Sequence, residues 1–344
     1  GTTSTAEYNV AVGTTALDAI TTADNNSAIG YGALGAITTG SNNAAVGKDA
    51  GSGLTTASYN TAIGVSTMTG TNTGGDKNVA VGYTALNALT SGDFNVGVGF
   101  EALSANTSGA QGTAVGYQAL KAQTTVAGNN VAIGYQAGTS ITTGYHNTAV
   151  GGNCLDAEDE GIGNTAVGHN ALTAQDGANY NTAIGWEAGK AISTGANNTA
   201  VGGAALTANT TGASNTAVGA LALDACTTGT DNVAIGKSAL TASTTASSNT
   251  AIGSAALYVN STGADNVAIG TSAMDSNTTG GNNVAVGSGS LQANSTAGSN
   301  TAIGKNALYA NTTGGSNTAV GITALSANTT AANNTAVGAE ALGA

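Results

Sequence analysis

Residues 198–212 read Asn198-Thr199-Ala200-Val201-Gly202-Gly203-Ala204-Ala205-Leu206-Thr207-Ala208-Asn209-Thr210-Thr211-Gly212, and Asn215-Thr216-Ala217-Val218-Gly219 then starts the motif again. Alternation over Asn-Thr-Ala-Val-Gly reads as a β-strand, with Thr199 and Val201 on one face and Ala200 and Gly202 on the other. The Gly of this motif recurs at 13, 30, 47, 64, 82, 99, 116, 134, 151, 168, 185, 202, 219, 236, 253, 270, 287, 304, 321 and 338. Nearly all intervals are 17 residues; those from 64 to 82 and from 116 to 134 are 18.

With that Gly as position zero, −1 is always Val or Ile, and −2 is Ala except at Gly97. Position −4 is Asn except at Gly112, and −3 is Thr or Val except at Ser27 and Ala44. Position +4 is Leu, or Met at Met68 and Met274, except where it is Gly51, Gly138 or Gly189. Seventeen residues are too few for a two-helix repeat, and a Gly in every copy opposes helix. The spacing predicts an all-β fold: a parallel β-solenoid, or β-roll, of about twenty 17-residue coils spanning 1–344 as a single repeat domain. In this reading each coil holds two short strands and two tight turns. Neighbouring coils lie about 4.8 Å apart, which gives a rod on the order of 90–100 Å long.

The chain contains no Pro, as a strand donating every N–H to the next coil requires. The Asn column at −4, which includes Asn147, Asn164, Asn181, Asn198 and Asn215, suits a side-chain ladder along the turns, where Asn also tolerates the left-handed conformation. The +4 column supplies an intra-coil core through Leu172, Leu206, Leu223 and Leu240. In the three coils with Gly at +4, position +7 becomes Leu54, Ile141 or Ile192, so the cavity is refilled from the next inward position. An unfilled Leu-sized cavity would cost about 2–5 kcal/mol. Elsewhere +7 is commonly Asn, as at Asn106, Asn209 and Asn311.

Small residues at −2 and 0 indicate that something bulky lies on them, most simply the +4 Leu. The −1 column then faces outward, through residues such as Val150, Val167, Ile184, Val201, Val218 and Ile235. So long an apolar stripe calls for identical chains to cover it. The reverse assignment, with Val or Ile inside and Ala or Gly at the interface, also predicts an oligomer.

Composition narrows the function classes. Six Lys, no Arg and a net charge of −12 leave little to neutralise a phosphate backbone, so nucleic acid is not an expected partner. No run approaches the roughly 20 apolar residues of a membrane-spanning helix, so this segment is not expected to insert in a membrane. Cys154 and Cys226 are too few for a disulfide framework, and no Cys/His spacing suggests a metal site. Gly1 is not a start Met, and the stretch reads as the interior of a longer fibre.

The motif Asn-[Thr/Val]-Ala-[Val/Ile]-Gly resembles the repeat of YadA-like head domains in trimeric autotransporter adhesins. The wording of Gly112 to Leu120 together with Asn209 to Gly212 is similar to repeats of phage tail-fibre proteins. The resemblance covers every copy. It implies a left-handed coil and a parallel homotrimer, neither of which follows from the spacing. It also implies a structural or adhesive role at a virion or cell surface, as an extracellular fibre or stalk that positions a receptor-binding tip.

No enzyme, cofactor or metal site is expected. His146 and His169 stand at different offsets, as chance filling of turn positions would leave them. Asp156, Glu158, Asp159 and Glu160 form a dense acidic cluster that reads either as a solvated turn or as a cation site shared by three chains. Asn-x-Ser/Thr triplets such as those at Asn106 and Asn260 fit the glycosylation pattern but fall within the turn consensus. Position +1 carries Tyr83, Phe100, Tyr117 and Tyr135 in successive coils, and Trp186 further on. These rings either stack and stiffen the coil or form a stripe contacting a cell-surface glycan or receptor. Two other functions remain open: a filament growing by end-to-end coil stacking, and an ice-binding solenoid displaying ranks of Thr.

Overall fold

A computed structural model describes residues 5–124 and 128–343. They fall into two compact units divided between Gly177 and Ala178. Among the described residues every regular element is a three-residue strand at −3 to −1, and no helix is long and apolar enough to cross a membrane. Both units are parallel β-solenoids.

In the first unit, strand Val10–Val12 pairs in parallel with Ser27–Ile29, with Ala11 opposite Ala28, and each coil repeats this pairing as far as Thr148–Val150 against Thr165–Val167. The second unit runs likewise from Thr182–Ile184 against Thr199–Val201 to Thr318–Val320 against Thr335–Val337. The register is one coil throughout, so identical columns lie over one another. The 18-residue coils keep it too: Ala62 faces Ala80, and Ala114 faces Ala132.

Each coil has one strand, where the spacing predicted two. Beyond the zero Gly, positions +2 and +4 adopt positive φ, as in Ala204 (54°) and Leu206 (55°), and the turn at −5 does so again, as in Asn197 (60°). Left-handed residues at alternate positions forbid an extended second strand. This wall still bonds coil to coil: Leu206 N donates to Ala222 O at 3.0 Å, and Thr210 N to Thr227 O at 2.9 Å.

A left-handed Leu costs about 1–2 kcal/mol, which full burial of its side chain, worth about 1.5–3 kcal/mol, offsets. Leu172, Leu206, Leu223 and Leu240 are fully buried on these terms. Gly51 and Gly138 take the same conformation without that cost. A Cβ on Gly51 would lie 2.8 Å from Leu34 Cδ2 and 3.3 Å from Leu54 Cδ1, so the refilling side chain occupies the space. Ile141 Cδ1 stands 3.0 Å from the corresponding point on Gly138, and Ile192 is equally buried.

The two small columns differ in cause. At −2 the +4 Leu does lie overhead: a Cβ on Gly97 would meet Leu86 Cγ at 3.3 Å. At zero the expectation of an overlying Leu is corrected. Gly64 has φ +129°, and its Cβ would stand 2.6 Å from the Gly82 carbonyl oxygen, so backbone conformation and the next coil's backbone exclude every other residue. The left-handed Asn expected at −4 lies instead at −5, as in Asn25 and Asn197.

Candidate functional site

The interior is closed. Inside the end coils, where Ala11 and Leu342 are exposed, Ala at −2 and +3 and Leu at +4 are buried in both units. Where +3 is Thr67, Cys154 or Ser290 in place of Ala, the side chain donates back to the carbonyl of its own zero Gly, so a buried polar atom is satisfied within the coil. Burial pushes the Cys154 thiol up to about 12 and the Cys226 thiol up to about 11.

Two Asn ladders complete the interior. At −4, Asn198 Oδ1 accepts from Asn215 N at 3.0 Å, while Asn198 Nδ2 crosses the coil to Gly212 O at 2.9 Å. Asn147 N donates to Asn130 Oδ1, Asn164 N to Asn147 Oδ1, and Asn181 Nδ2 to Gly195 O, each at 2.8 Å. Gly112 breaks the column, and Gln123 Oε1 there accepts from Asn130 Nδ2. The second ladder, at +7, was not anticipated as a buried ladder. Asn277 Nδ2 donates to Asn260 Oδ1 and Asn294 Nδ2 to Asn277 Oδ1, both at 2.8 Å. Asn106, Asn209, Asn260, Asn277, Asn294 and Asn311 are fully buried, so the glycosylation triplets at these positions are closed once the chain has folded. A third ladder runs at +8, where Thr210 Oγ1 donates to Thr227 O and Thr227 Oγ1 to Thr244 O, each at 3.1 Å.

The acidic cluster is not one group. Glu158 turns inward, fully buried, accepting from Gln175 Nε2 at 2.7 Å, Gly177 N at 3.0 Å and Gly161 N. Asp159 accepts from Thr142 Oγ1, and Glu160 is exposed. Asp156 is half-buried, and desolvation pushes its carboxyl up. Among the described residues no three His, Cys, Asp or Glu come together as metal ligands. His146 sits edge-on to Tyr145 at 5.0 Å.

The candidate contact surface lies outside the coils, in two columns. The −1 side chains point away from the interior: Val150, Val167, Val201 and Val218 are half-buried, and Ile184 and Ile235 remain 41% and 38% exposed. The −3 residues flank them on the same face. The second column is +1. Ring centroids lie 5.3 Å apart for Tyr83 and Phe100, 5.2 Å for Phe100 and Tyr117, and 5.1 Å for Tyr117 and Tyr135, with interplanar angles of 16°, 10° and 7°. All four rings are exposed. Trp186, exposed in the second unit, is followed in its column by Gly203.

Beside the rings runs a polar ladder at +2: Gln118 Nε2 donates to Glu101 Oε2 at 2.8 Å, and Gln136 Nε2 to Gln118 Oε1 at 3.0 Å. Lys121 reaches Glu101 Oε2 at 2.7 Å, and with Gln118 it holds that carboxyl below its ordinary value. Glutamine or glutamate recurring at one offset, at 101, 118 and 136, was the available signal. No protein-family model and no curated protein sequence matches this chain.

Proposed function

We propose that the chain is a structural and adhesive module, an extracellular fibre or stalk that spaces a receptor-binding tip from a virion or cell surface, built as a parallel homotrimer of left-handed coils. The observation that carries this reading is the column of outward Val and Ile at −1 in each unit, left half-exposed although Leu, Ala and Asn already fill the interior. Ten of the twenty such side chains are at least 38% exposed, and burying about 40% of each contributes about 0.6–1.2 kcal/mol. Together these ten reach about 6–12 kcal/mol, comparable with the roughly 4–15 kcal/mol lost on association. The parallel ladder supplies stiffness, and no chemistry is required of the chain.

Native mass spectrometry of the full chain tests the proposal. Val201→Lys with Val218→Lys should convert trimers to single chains, whereas Thr211→Lys with Thr228→Lys, at exposed turn positions, should leave trimers intact. Single chains throughout, or equal effects of the two pairs, would overturn it.

A second reading draws on the exposed Thr rank at +9, occupied in successive coils from Thr194 through Thr211 and Thr228 to Thr330. An ice-binding surface would use that rank. The adjoining +8 hydroxyls, however, are engaged with the next coil's carbonyls, which leaves one free rank where a flat ice plane needs two. Thermal hysteresis in a solution of single chains would favour this reading over the fibre.

A further inference from the structure

In the second unit the +7 Asn ladder stops at Asn260, and its broken end leaves buried polar atoms unpaired. Further along, each carboxamide nitrogen serves two acceptors. Asn277 Nδ2 donates to Asn260 Oδ1 in the preceding coil at 2.8 Å and to Gly280 O in its own at 2.9 Å, and Asn294 and Asn311 repeat the pattern. Asn260 keeps only the bond within its own coil, to Gly263 O at 2.8 Å. An amide NH2 carries two hydrogens, and the one that reaches the preceding coil in the copies is here directed toward position 243. That position holds Ser243, fully buried, whose Oγ has no partner. Beyond it the gap continues: Cys226 Sγ lies 3.7 Å from Gly229 O, and Asn209 Nδ2 and Oδ1 are buried and unpaired.

Ser243 is shorter than an Asn of its column by two heavy atoms, which frees roughly the room of one water molecule, about 30 Å³. A third polar group borders that room. Gly280 O accepts from Asn266 Nδ2 at 2.8 Å and from Asn277 Nδ2, whereas its counterpart Ala246 O accepts from Asn232 Nδ2 at 2.8 Å and receives nothing from Ser243. Buried waters typically make about three hydrogen bonds to groups that would otherwise go unsatisfied. A hard cation would instead require several oxygen ligands, and here an N–H donor faces the site.

We propose that Ser243 Oγ, Asn260 Nδ2 and Ala246 O form a binding site for one internal water, which stands in for the carboxamide of the column and carries the +7 ladder one coil further. The water accepts from Asn260 Nδ2 and from the Ser243 hydroxyl, and it donates to Ala246 O. A water bridge of this kind is nearly as favourable in enthalpy as a direct hydrogen bond. The site lies inside one pair of coils, so it stands whether or not chains associate.

The first test is a crystal structure of the full chain at a resolution that shows ordered solvent. A peak should lie about 2.7–3.2 Å from all three atoms, and Ser243→Asn should expel it and place the new carboxamide oxygen within the same distance of Asn260 Nδ2. A Ser243 hydroxyl bonded directly to a backbone carbonyl with no peak beside it would overturn the proposal, as would contacts of about 2.3–2.6 Å, which mark a hard cation. The second test is amide exchange at Thr244, whose N–H joins the two coils through Ser261 O at 3.3 Å. Ser243→Val fills the room with an apolar side chain, as Ile37 already does at this offset, and would displace the water from Asn260 and Ala246. Protection at Thr244 should then fall about tenfold or more. Unchanged or higher protection, expected if the valine merely replaces an unpaired hydroxyl, would overturn the proposal.

Discussion

Two adjacent glycines, Gly202 and Gly203, should respond oppositely to alanine. Gly202 has φ +136°, and a Cβ there would stand 2.6 Å from both the carbonyl carbon and the oxygen of Gly219 in the next coil. Gly203, one residue on, is exposed, and its Cβ would meet nothing within 4 Å. The strain of a non-glycine residue in that φ region costs about 1–3 kcal/mol. Overpacking against a neighbour that cannot retreat adds about 1–3 kcal/mol. Gly202→Ala should therefore destabilise its coil by about 2–6 kcal/mol, while Gly203→Ala should be neutral or stabilising by up to about 1 kcal/mol through the unfolded chain. Long repeat arrays need not unfold in one step, so a local readout is preferable to a global midpoint. Amide exchange at Gly219 suits the purpose, because its N–H donates to Val201 O at 2.8 Å across the altered coil. Protection there should fall at least about thirtyfold for Gly202→Ala and hold for Gly203→Ala. Equal protection in the two variants would refute the close-approach account of the zero column.

Three further outcomes follow from the interior. Asn215→Ala removes the acceptor of Asn232 N and the donor to Gly229 O, leaving the first buried group unpaired and the second with only the weak Cys226 Sγ donor at 3.7 Å, at a cost of about 1–3 kcal/mol or more; urea denaturation should show this loss, whereas Ser214→Ala, at the exposed neighbour, should show almost none. Asp224 has its carboxyl raised above the ordinary 3.8 by desolvation, and its Oδ1 is buried without a partner. A raised folded-state value means that the protonated form favours the fold and that its contribution is lost as pH rises through that value. Asp224→Asn should therefore raise the urea midpoint at pH 7, and the gain should vanish below about pH 3.8; a gain of equal size at pH 3 and pH 7 would contradict this. Cys154 and Cys226, fully buried with raised thiol values, should resist iodoacetamide at pH 8 until denaturant is added, as mass spectrometry of the alkylated chain can show.

Legibility in the sequence depended on whether a residue's usual preference agreed with its place. Val201, Ala200 and Gly202 behave in type, so the strand, its register and its outward face could be read from one coil and its copies. Leu206 does not: left-handed Leu runs against local preference and is held there by burial, so the wall after the zero Gly read as a second strand. Asn277 and Asn294 were legible as turn residues, yet they sit fully buried because their amides bond along the stack, a pairing that exists only after coils are superposed. Glu158 was grouped with its acidic neighbours by adjacency, although successive residues of this turn point in different directions. The aromatic column was visible at fixed offset. That its inner faces are closed depends on ring orientation, which the letters do not carry.

Central to the account is the proposal that the −1 and −3 face packs against copies of the same chain. Sedimentation equilibrium of the unaltered chain over a range of concentrations tests this most directly. A single species of three times 32.5 kDa is the predicted result, and a species of 32.5 kDa that persists at high concentration would contradict it.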